Sequence, residues 1–351
     1  RLRMESTPMV PSTIVGFAAS EPGRSLKPIK YQSPYLGEHG VRISITHCGV
    51  CYTDIQGIED YYGITTFPFV PGHEIVGNVI AVGSEVDDLS EGDRVGVGWQ
   101  GRSCMKCEWC LQGEEHLCQD IESCATWDPY GGFSSSVVVD SRFAYRLPEA
   151  MHSGHAAVLM CAGISVYAPL KLYASGGDRK VGVIGVGGLG HLAIQFAQAM
   201  GCQVTAISSS PGKKEEARKF GANDFIHIED DTRLRQVWGN FDLLIYTSHG
   251  GTDWTSLLNC LKTKGRLVVV GFSDDPVTFE PLELVVNQLS ITGSLIGSRT
   301  TMREMLSFAQ DHGIIPEVQL MPMSQVNEAI QILKENKARY RIVLVRGVDR
   351  V

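Results

Sequence analysis

Apolar and polar positions alternate along this chain in two rhythms. From Ile14 to about Val139 the apolar residues come in short runs of β character: Val41–Ile45, Ile75–Val82, Arg94–Val97 and Ser136–Val139. Gly-, Pro- and Asp-rich turns separate them, which predicts a β-rich unit with little internal helix. From about Glu149 the rhythm changes. Strand-like runs at Val181–Ile184, Gly201–Ile207, Phe225–Ile228, Leu243–Tyr246, Arg266–Val270 and Ser290–Gly293 alternate with helical stretches such as Leu192–Met200, Lys213–Phe220 and Asp253–Leu261. That alternation predicts a doubly wound parallel sheet and an α/β fold class. After Gly293, Met302–His312 and Ser324–Asn336 read as amphipathic helices and Tyr340–Val345 as a strand. The expected organisation is a discontinuous first domain, 4–150 with 294–351, around a second at 151–293.

The most informative junction is where Val181–Ile184 meets Gly185-Val-Gly-Gly-Leu-Gly190. The helix behind it can turn Leu192, Ile194, Phe196 and Ala199 to its inner side. Gly185, Gly187 and Gly190 fit G-x-G-x-x-G, with Gly188 and Leu189 inside the turn. The first glycine permits the tight turn, the second lets the backbone approach a pyrophosphate, and the third lets helix lie close on strand. The helix start then offers free N–H groups and a positive dipole end to that anion. An NAD site wants an acidic residue about 20 residues further on, for the ribose hydroxyl. Ser208 stands there instead, followed by Ser209, Ser210, Lys213 and Lys214. Hydroxyls and cations suit a 2′-phosphate, so NADPH is expected over NADH. The plainer reading is a polar loop that caps the next helix, and the two are compatible.

The 351 residues allow two domains of ordinary size, and a net charge of −8 argues against a nucleic-acid surface. No apolar run is expected to span a membrane, and no secretory signal is read at the start; Arg1-Leu2-Arg3, ahead of Met4, are set aside. The ten cysteines change the picture. Cys104-x2-Cys107-x2-Cys110-x7-Cys118 can wrap one ion tetrahedrally and leave no open position, the pattern of a structural zinc site. A redox pair or free surface thiols fit four clustered cysteines poorly. Thiolate ligands need a reducing compartment, so a cytoplasmic location is expected. Cys51, His73, Glu74 and Cys161 are dispersed, and each alone is ambiguous: a lone His is usually a satisfied polar group, a lone Cys a small hydrophobe. Spacing does not join them.

Several segments together resemble a known family. They are Cys48-Gly-Val-Cys51, Val70-Pro-Gly-His73-Glu74-Ile-Val-Gly77, the four-cysteine lobe, Gly131-Gly-Phe133 and Leu159-Met-Cys-Ala-Gly-Ile-Ser-Val-Tyr167. The glycine turn, Ser210-Pro-Gly-Lys-Lys-Glu-Glu-Ala217 and Ala338-Arg-Tyr-Arg-Ile-Val343 complete the series. In this order they resemble the zinc-dependent medium-chain alcohol dehydrogenases, and within them the cinnamyl alcohol dehydrogenase branch. The resemblance implies a GroES-like catalytic domain joined to a Rossmann domain, with two zinc ions per chain and NADPH. It implies that Cys51, His73 and Cys161 bind the catalytic zinc, with Glu74 an alternative ligand and the fourth position open to water or substrate. Asp54 would orient His73, and Arg341 would lie near this site and the cofactor. Thr53 would exchange a proton with the substrate oxygen during reversible aldehyde reduction to a primary alcohol. A homodimer formed along Ser290–Leu295 is also implied.

The chain departs from the family in three places. Gln56 stands where many members carry a relay histidine, so the proton is expected to leave through water past Gln56, slowing alcohol oxidation near neutral pH. Tyr52 replaces a His or Arg near the pyrophosphate. Trp99 falls where some members have a pocket tryptophan, but the cinnamyl branch's own pocket tryptophan is replaced by Ser123, with Trp127 nearby. The chemistry therefore carries over more firmly than the cinnamyl substrate. Two other functions fit parts of the pattern: a zinc-containing reductase of conjugated imines or C=C bonds, and a non-enzymatic dinucleotide-binding protein. Retention of Cys51, His73, Glu74 and Cys161 speaks against the second of these. Cys48, Cys124, Cys202 and Cys260 are expected to be buried thiols, and His227 and His249 polar loop or strand-end residues.

Overall fold

A computed structural model describes residues 13–124, 129–248, 250, 253–271 and 276–347. Trp127 and His249 lie outside them.

Six parallel strands form one sheet. Their spatial order is Asp224–His227, Gln203–Ser208, Lys180–Ile184, Phe241–Tyr246, Leu261–Val269 and Ser290–Gly293. Read by sequence this is 3-2-1-4-5-6, with the reversal of direction beside Lys180–Ile184, where the glycine turn begins. Ligands of such sheets bind at that crevice. Val181, Val183, Ile207, Leu244 and Leu267 are fully buried, as strands covered on both faces require. The Asp253 carboxylate caps helix Trp254–Cys260 by accepting the Ser256 N–H at 3.2 Å, and the strand after it starts at Leu261, not at Arg266 as the apolar run suggested.

The second sheet holds the β-rich region. Gly40–Val50 is its central strand. It pairs antiparallel with Glu74–Val82, Ser136–Asp140 and Arg341–Val345. The last of these pairs in turn, in parallel, with Val318–Pro322. The C-terminal strand thus lies in the β-rich sheet, beside Gly40–Val50. Apolar alternation marked the central strand only as far as Ile45. The structure carries it past a bulge between Ile45 and His47 to Val50, with Cys48 and Val50 buried. That extension sets the register of the site: Gly49 lies opposite both Glu74 and Val343, and Val50 lies opposite Ile342.

A helical run of 22 residues, Ser153–Ala174, joins the two regions. Leu159–Gly163 within it is a π-turn. By length and composition alone this run could cross a membrane, which corrects the expectation that no apolar run comes near that limit. Its apolarity belongs to the protein core: Leu159, Met160, Ile164, Val166 and Leu170 are fully buried.

Candidate active site

Cys51 ends the central strand and caps helix Tyr52–Ile58, and its backbone N–H donates to Asp54 Oδ2 at 2.8 Å. The other Asp54 oxygen accepts the Gly72 N–H and pairs with His73 Nδ1, both at 2.9 Å. One buried carboxylate therefore ties the Cys51 turn to the loop bearing His73. It also holds the proton on Nδ1, leaving Nε2 with its lone pair free. Nε2 is buried and has no hydrogen-bond partner. Glu74 is also fully buried; one oxygen pairs with Arg341 Nη2 and the other, Oε2, has no partner. A Cβ on Gly49 would lie 1.9 Å from that oxygen, so only glycine leaves room for the Glu74 side chain.

Cys161 enters from the π-turn. An extra residue in a helical turn re-aims a side chain, and such turns are frequent at functional sites. The ligand atoms of Cys51, His73, Glu74 and Cys161 all lie within 4.8 Å of one another. The electrostatics are those of a crowded, largely buried cluster. A hydrogen bond from Cys161 holds the Cys51 thiol well below its usual range against the effect of burial, with His73 and Arg341 adding to it. Cys161, which makes that bond, is pushed well above its range by it and by burial. Burial raises the Glu74 carboxyl to about 8, opposed by Arg341 and assisted by Cys51. Two soft sulfurs, an imidazole nitrogen and a carboxylate oxygen within 4.8 Å of one another fit a tetrahedral zinc ion. Three of them as ligands would leave one position open.

The four-cysteine lobe is local. Cys104 Sγ lies 3.9 Å from Cys110 Sγ and accepts the Cys107 N–H at 3.3 Å; Cys118 Sγ accepts the Cys104 N–H at 3.5 Å. The N–H groups of Lys106 and Cys107 help lower the Cys104 thiol to about 6, against desolvation. All four sulfurs lie within the same 4.8 Å limit, which fits a closed zinc site.

The glycine turn has the predicted shape. Gly185 sits at φ +92, and a Cβ on Gly190 would lie 1.7 Å from the Gly185 carbonyl oxygen. Nothing crowds Gly187 within 4 Å, so that side is open to a ligand. Leu189 precedes helix Gly190–Ala199. A Cβ on Gly188 would lie 2.9 Å from Arg341 Cδ and Nη1. Arg341 thus touches Glu74 with one part of its guanidinium and the glycine turn with another. Spacing alone did not show this bridge. Ser208 is buried and its hydroxyl accepts the Ser210 N–H at 3.2 Å, whereas Ser209 is exposed, Ser210 half-buried, and Lys213 Nζ donates to the Val186 carbonyl at 2.6 Å. The serine loop and Lys213 therefore flank the turn. Sequence reasoning also passed over His191. It is fully buried, its Nδ1 lies 3.0 Å from the Gly187 carbonyl, and its Nε2 accepts the Glu317 N–H at 3.3 Å.

Thr53 Oγ1 lies 3.7 Å from Cys51 Sγ. Gln56 is buried on the same helix, and its Oε1 accepts the Tyr62 hydroxyl at 3.4 Å. Trp99 is half-buried, and its carbonyl accepts the Cys124 N–H at 2.7 Å. Cys48, Cys124, Cys202 and Cys260 are buried thiols, as expected, and His227, at a strand end, bonds the Ser209 carbonyl.

A zinc-binding dehydrogenase family model matches residues 188–311, and an alcohol dehydrogenase GroES-like domain matches residues 37–149. The chain is 42% identical over 316 residues to a probable formaldehyde dehydrogenase of Bacillus subtilis, covering 88% of this chain and 90% of that protein. It superimposes on a cinnamyl alcohol dehydrogenase of Sorghum bicolor with a TM-score of 0.91, at 37% identity over 95% of this chain and 98% of the other. The chain belongs to the zinc-dependent medium-chain alcohol dehydrogenases, in their cinnamyl alcohol dehydrogenase-like branch. Another solved member, the cinnamyl alcohol dehydrogenase of Helicobacter pylori in complex with NADP(H), matches with a TM-score of 0.89 at 30% identity, over 96% of this chain and 99% of that one. In this family's terms the GroES-like match holds the four-cysteine lobe with Cys51, His73 and Glu74, Cys161 comes from the helical run just beyond it, and the Rossmann sheet carries the glycine turn.

Proposed function

We propose that this chain catalyses the reversible, zinc-dependent reduction of aldehydes, aromatic or medium-chain, to primary alcohols with NADPH. The observation that carries it is the Arg341 bridge: one side chain joins a cluster of zinc-ligand type to a dinucleotide turn. Cys51, His73 and Cys161 would hold the catalytic zinc, with Glu74 in reserve, and Cys104, Cys107, Cys110 and Cys118 the structural one. When bound, the zinc supplies Lewis acidity toward a carbonyl oxygen and NADPH supplies the hydride.

The chain's own groups do the rest. Asp54 fixes the His73 tautomer and, through Gly72 and Cys51, the positions of two ligands. Arg341 neutralises Glu74 while the turn at Gly185–Gly190 takes up the pyrophosphate. The Thr53 hydroxyl gives a proton to the product oxygen, or removes it in the reverse direction. An amide does not titrate, so Gln56 cannot end the relay, and the proton passes it to water. Ser208, Ser209, Ser210 and Lys213 form the 2′-phosphate site, a reading supported by the NADP(H) complex of the Helicobacter relative. Trp99 lines the substrate pocket.

The same reading divides the chain into a catalytic domain, 4–150 with 294–351, and a cofactor domain, 151–293. It puts the protein in the cytoplasm, because the six clustered cysteine thiolates need a reducing compartment. A homodimer is supported by the outer strand Ser290–Gly293 and by Leu282, Val285 and Val286 on the helix before it, each about two-thirds exposed or more.

The test is initial rates of NADPH and NADH oxidation with a panel of aldehydes, cinnamaldehyde and benzaldehyde among them. Turnover with NADPH preferred is expected. NADH preferred would discard the phosphate site and keep the chemistry. No turnover in a protein holding two zincs would discard aldehyde reduction.

A further inference from the structure

One helix connects the two cysteine centres. Arg299–Asp311 begins after Ser298, whose hydroxyl accepts the Thr301 N–H at 3.2 Å. Its first residue reaches into the four-cysteine lobe. Arg299 Nε and Nη2 each lie 2.7 Å from Glu115 Oε1, and the Arg299 backbone N–H lies 3.4 Å from Oε2. Glu115 stands between Cys110 and Cys118 and is 3% exposed. Its carbonyl accepts the Gln100 side-chain N–H at 2.8 Å, and Gln100 follows Trp99. A carboxylate buried this far needs its cation, so the lobe and the helix cannot separate without leaving a charge unpaired.

The same helix packs on the reaction centre. A Cβ on Gly98 would lie 3.4 Å from Met302 Cε and 2.7 Å from the Met160 carbonyl, and Met160 precedes Cys161. A Cβ on Gly163, in the Cys161 π-turn, would lie 3.3 Å from Met305 Sδ. The segment leading into the helix is equally confined. A Cβ on Gly297 would lie 2.9 Å from Ile164 Cδ1, and Ile296 is held at φ +28, which a β-branched residue adopts only under constraint. Leu295, just before it, remains 43% exposed.

We propose that the Glu115–Arg299 pair is a positioning element that transmits the closed geometry of the four-cysteine lobe to Leu295–Ser298 and the Cys161 turn, and so sets which aldehydes fit. This rests on the aldehyde reductase reading. The lobe then acts on selectivity through Arg299, beyond holding the fold together.

Glu115→Gln removes the charge and keeps the shape. The kcat/KM for cinnamaldehyde is expected to fall about tenfold relative to that for acetaldehyde, because small misplacements at a reacting centre are amplified in rate. Two zincs per chain and the NADPH dissociation constant, read by fluorescence titration, should stay as in the wild type. The ratio of the two aldehydes does not depend on the fraction of active enzyme. A staple that only held the fold would lower both rates equally, so an unchanged ratio overturns the proposal. Should Glu115→Gln not fold, Arg299→Lys keeps the charge and loses the two-pronged grip; a shift of roughly threefold in the same ratio is expected, and none refutes it. If the wild type reduces no aldehyde, the functional reading fails, and positioning is read instead from cobalt(II) exchanged into the Cys51–His73–Cys161 site. Displaced visible absorption bands in Glu115→Gln then support the pair's role; superimposable spectra overturn it.

Discussion

The two thiolate centres of this chain are built from similar donors by opposite means. The lobe takes four cysteines from 15 consecutive residues, and its turns bring their sulfurs together with only local hydrogen bonds. The other cluster takes residues 51, 73, 74 and 161 from a strand end, a loop, a facing strand and a π-turn. Both regions hold buried polar atoms without a hydrogen-bond partner, His116 Nδ1 in the lobe and His73 Nε2 and Glu74 Oε2 in the other cluster, but only the latter two belong to a converging ligand set. A closed local site contributes folding free energy; a dispersed one, held by the rest of the molecule, can keep a position open for chemistry.

Breaking one ligand in each centre should separate these roles most sharply. Cys161→Ala should lower the aldehyde reduction rate about a thousandfold, the equivalent of roughly 4 kcal/mol of lost electrostatic stabilisation, with little change in thermal midpoint. Cys110→Ser should instead lower the thermal midpoint by roughly 10 °C, because metal affinity there is folding free energy. Metal analysis should give one zinc per chain in both. Equal effects on rate and stability in the two variants would erase the distinction.

Asp54→Asn tests whether the dispersed centre depends on its supporting carboxylate. Groups that orient a ligating histidine typically matter 10–100-fold in affinity or activity, so a loss of about that size is expected in steady-state rates. A variant as active as the wild type would leave the Cys51 and His73 geometry without its proposed cause. Lys213→Ala should reduce the preference for NADPH over NADH about tenfold, the worth of one charge-assisted hydrogen bond. Equal losses for both cofactors would point to the Lys213–Val186 contact alone. Gln56→His should raise alcohol oxidation near neutral pH about threefold by supplying a group that titrates; an unaltered pH–rate profile removes that idea.

A separate effect concerns stability at the glycine turn. Burial lowers the His191 imidazole to about 4, with the Gly187 carbonyl opposing and Arg341 assisting. The folded value lies below the unfolded value of 6.5, so as pH falls from 6.5 toward about 4 the unfolded chain takes up a proton that the folded chain excludes. Stability is therefore lost on acidification through that window, by up to about 3 kcal/mol from this group. Chemical denaturation at pH 7 and pH 5 should show a smaller pH-dependent loss in His191→Phe than in the wild type. An identical loss in both would mean that the buried imidazole does not contribute.

What could be read from the chain in advance follows from range. The alternation of Val181–Ile184 with glycine and then helix, the parallel strands after it, and the lobe's spacing are all local patterns, and the structure has each of them. The four dispersed residues came together on paper only through resemblance to a family. Their convergence depends on long-range register: the central strand continuing past a bulge to Val50, Gly49 opposite Glu74, and the C-terminal strand returning beside them. Apolar alternation stopped at Ile45 because Thr46 and His47 interrupt it, and no periodicity marks the π-turn that aims Cys161. Arg341 shows the limit most plainly. Its neighbours in sequence say only that a strand begins there, yet in space it lies against Glu74 and Gly188, residues far from it and from each other along the chain. The sequence by itself determined the elements, the closed metal lobe and the dinucleotide turn, because backbone propensity and short spacing act within a few residues. Only the tertiary structure decided the open centre and its link to the cofactor turn, because strand pairing and burial alone bring distant donors within bonding distance.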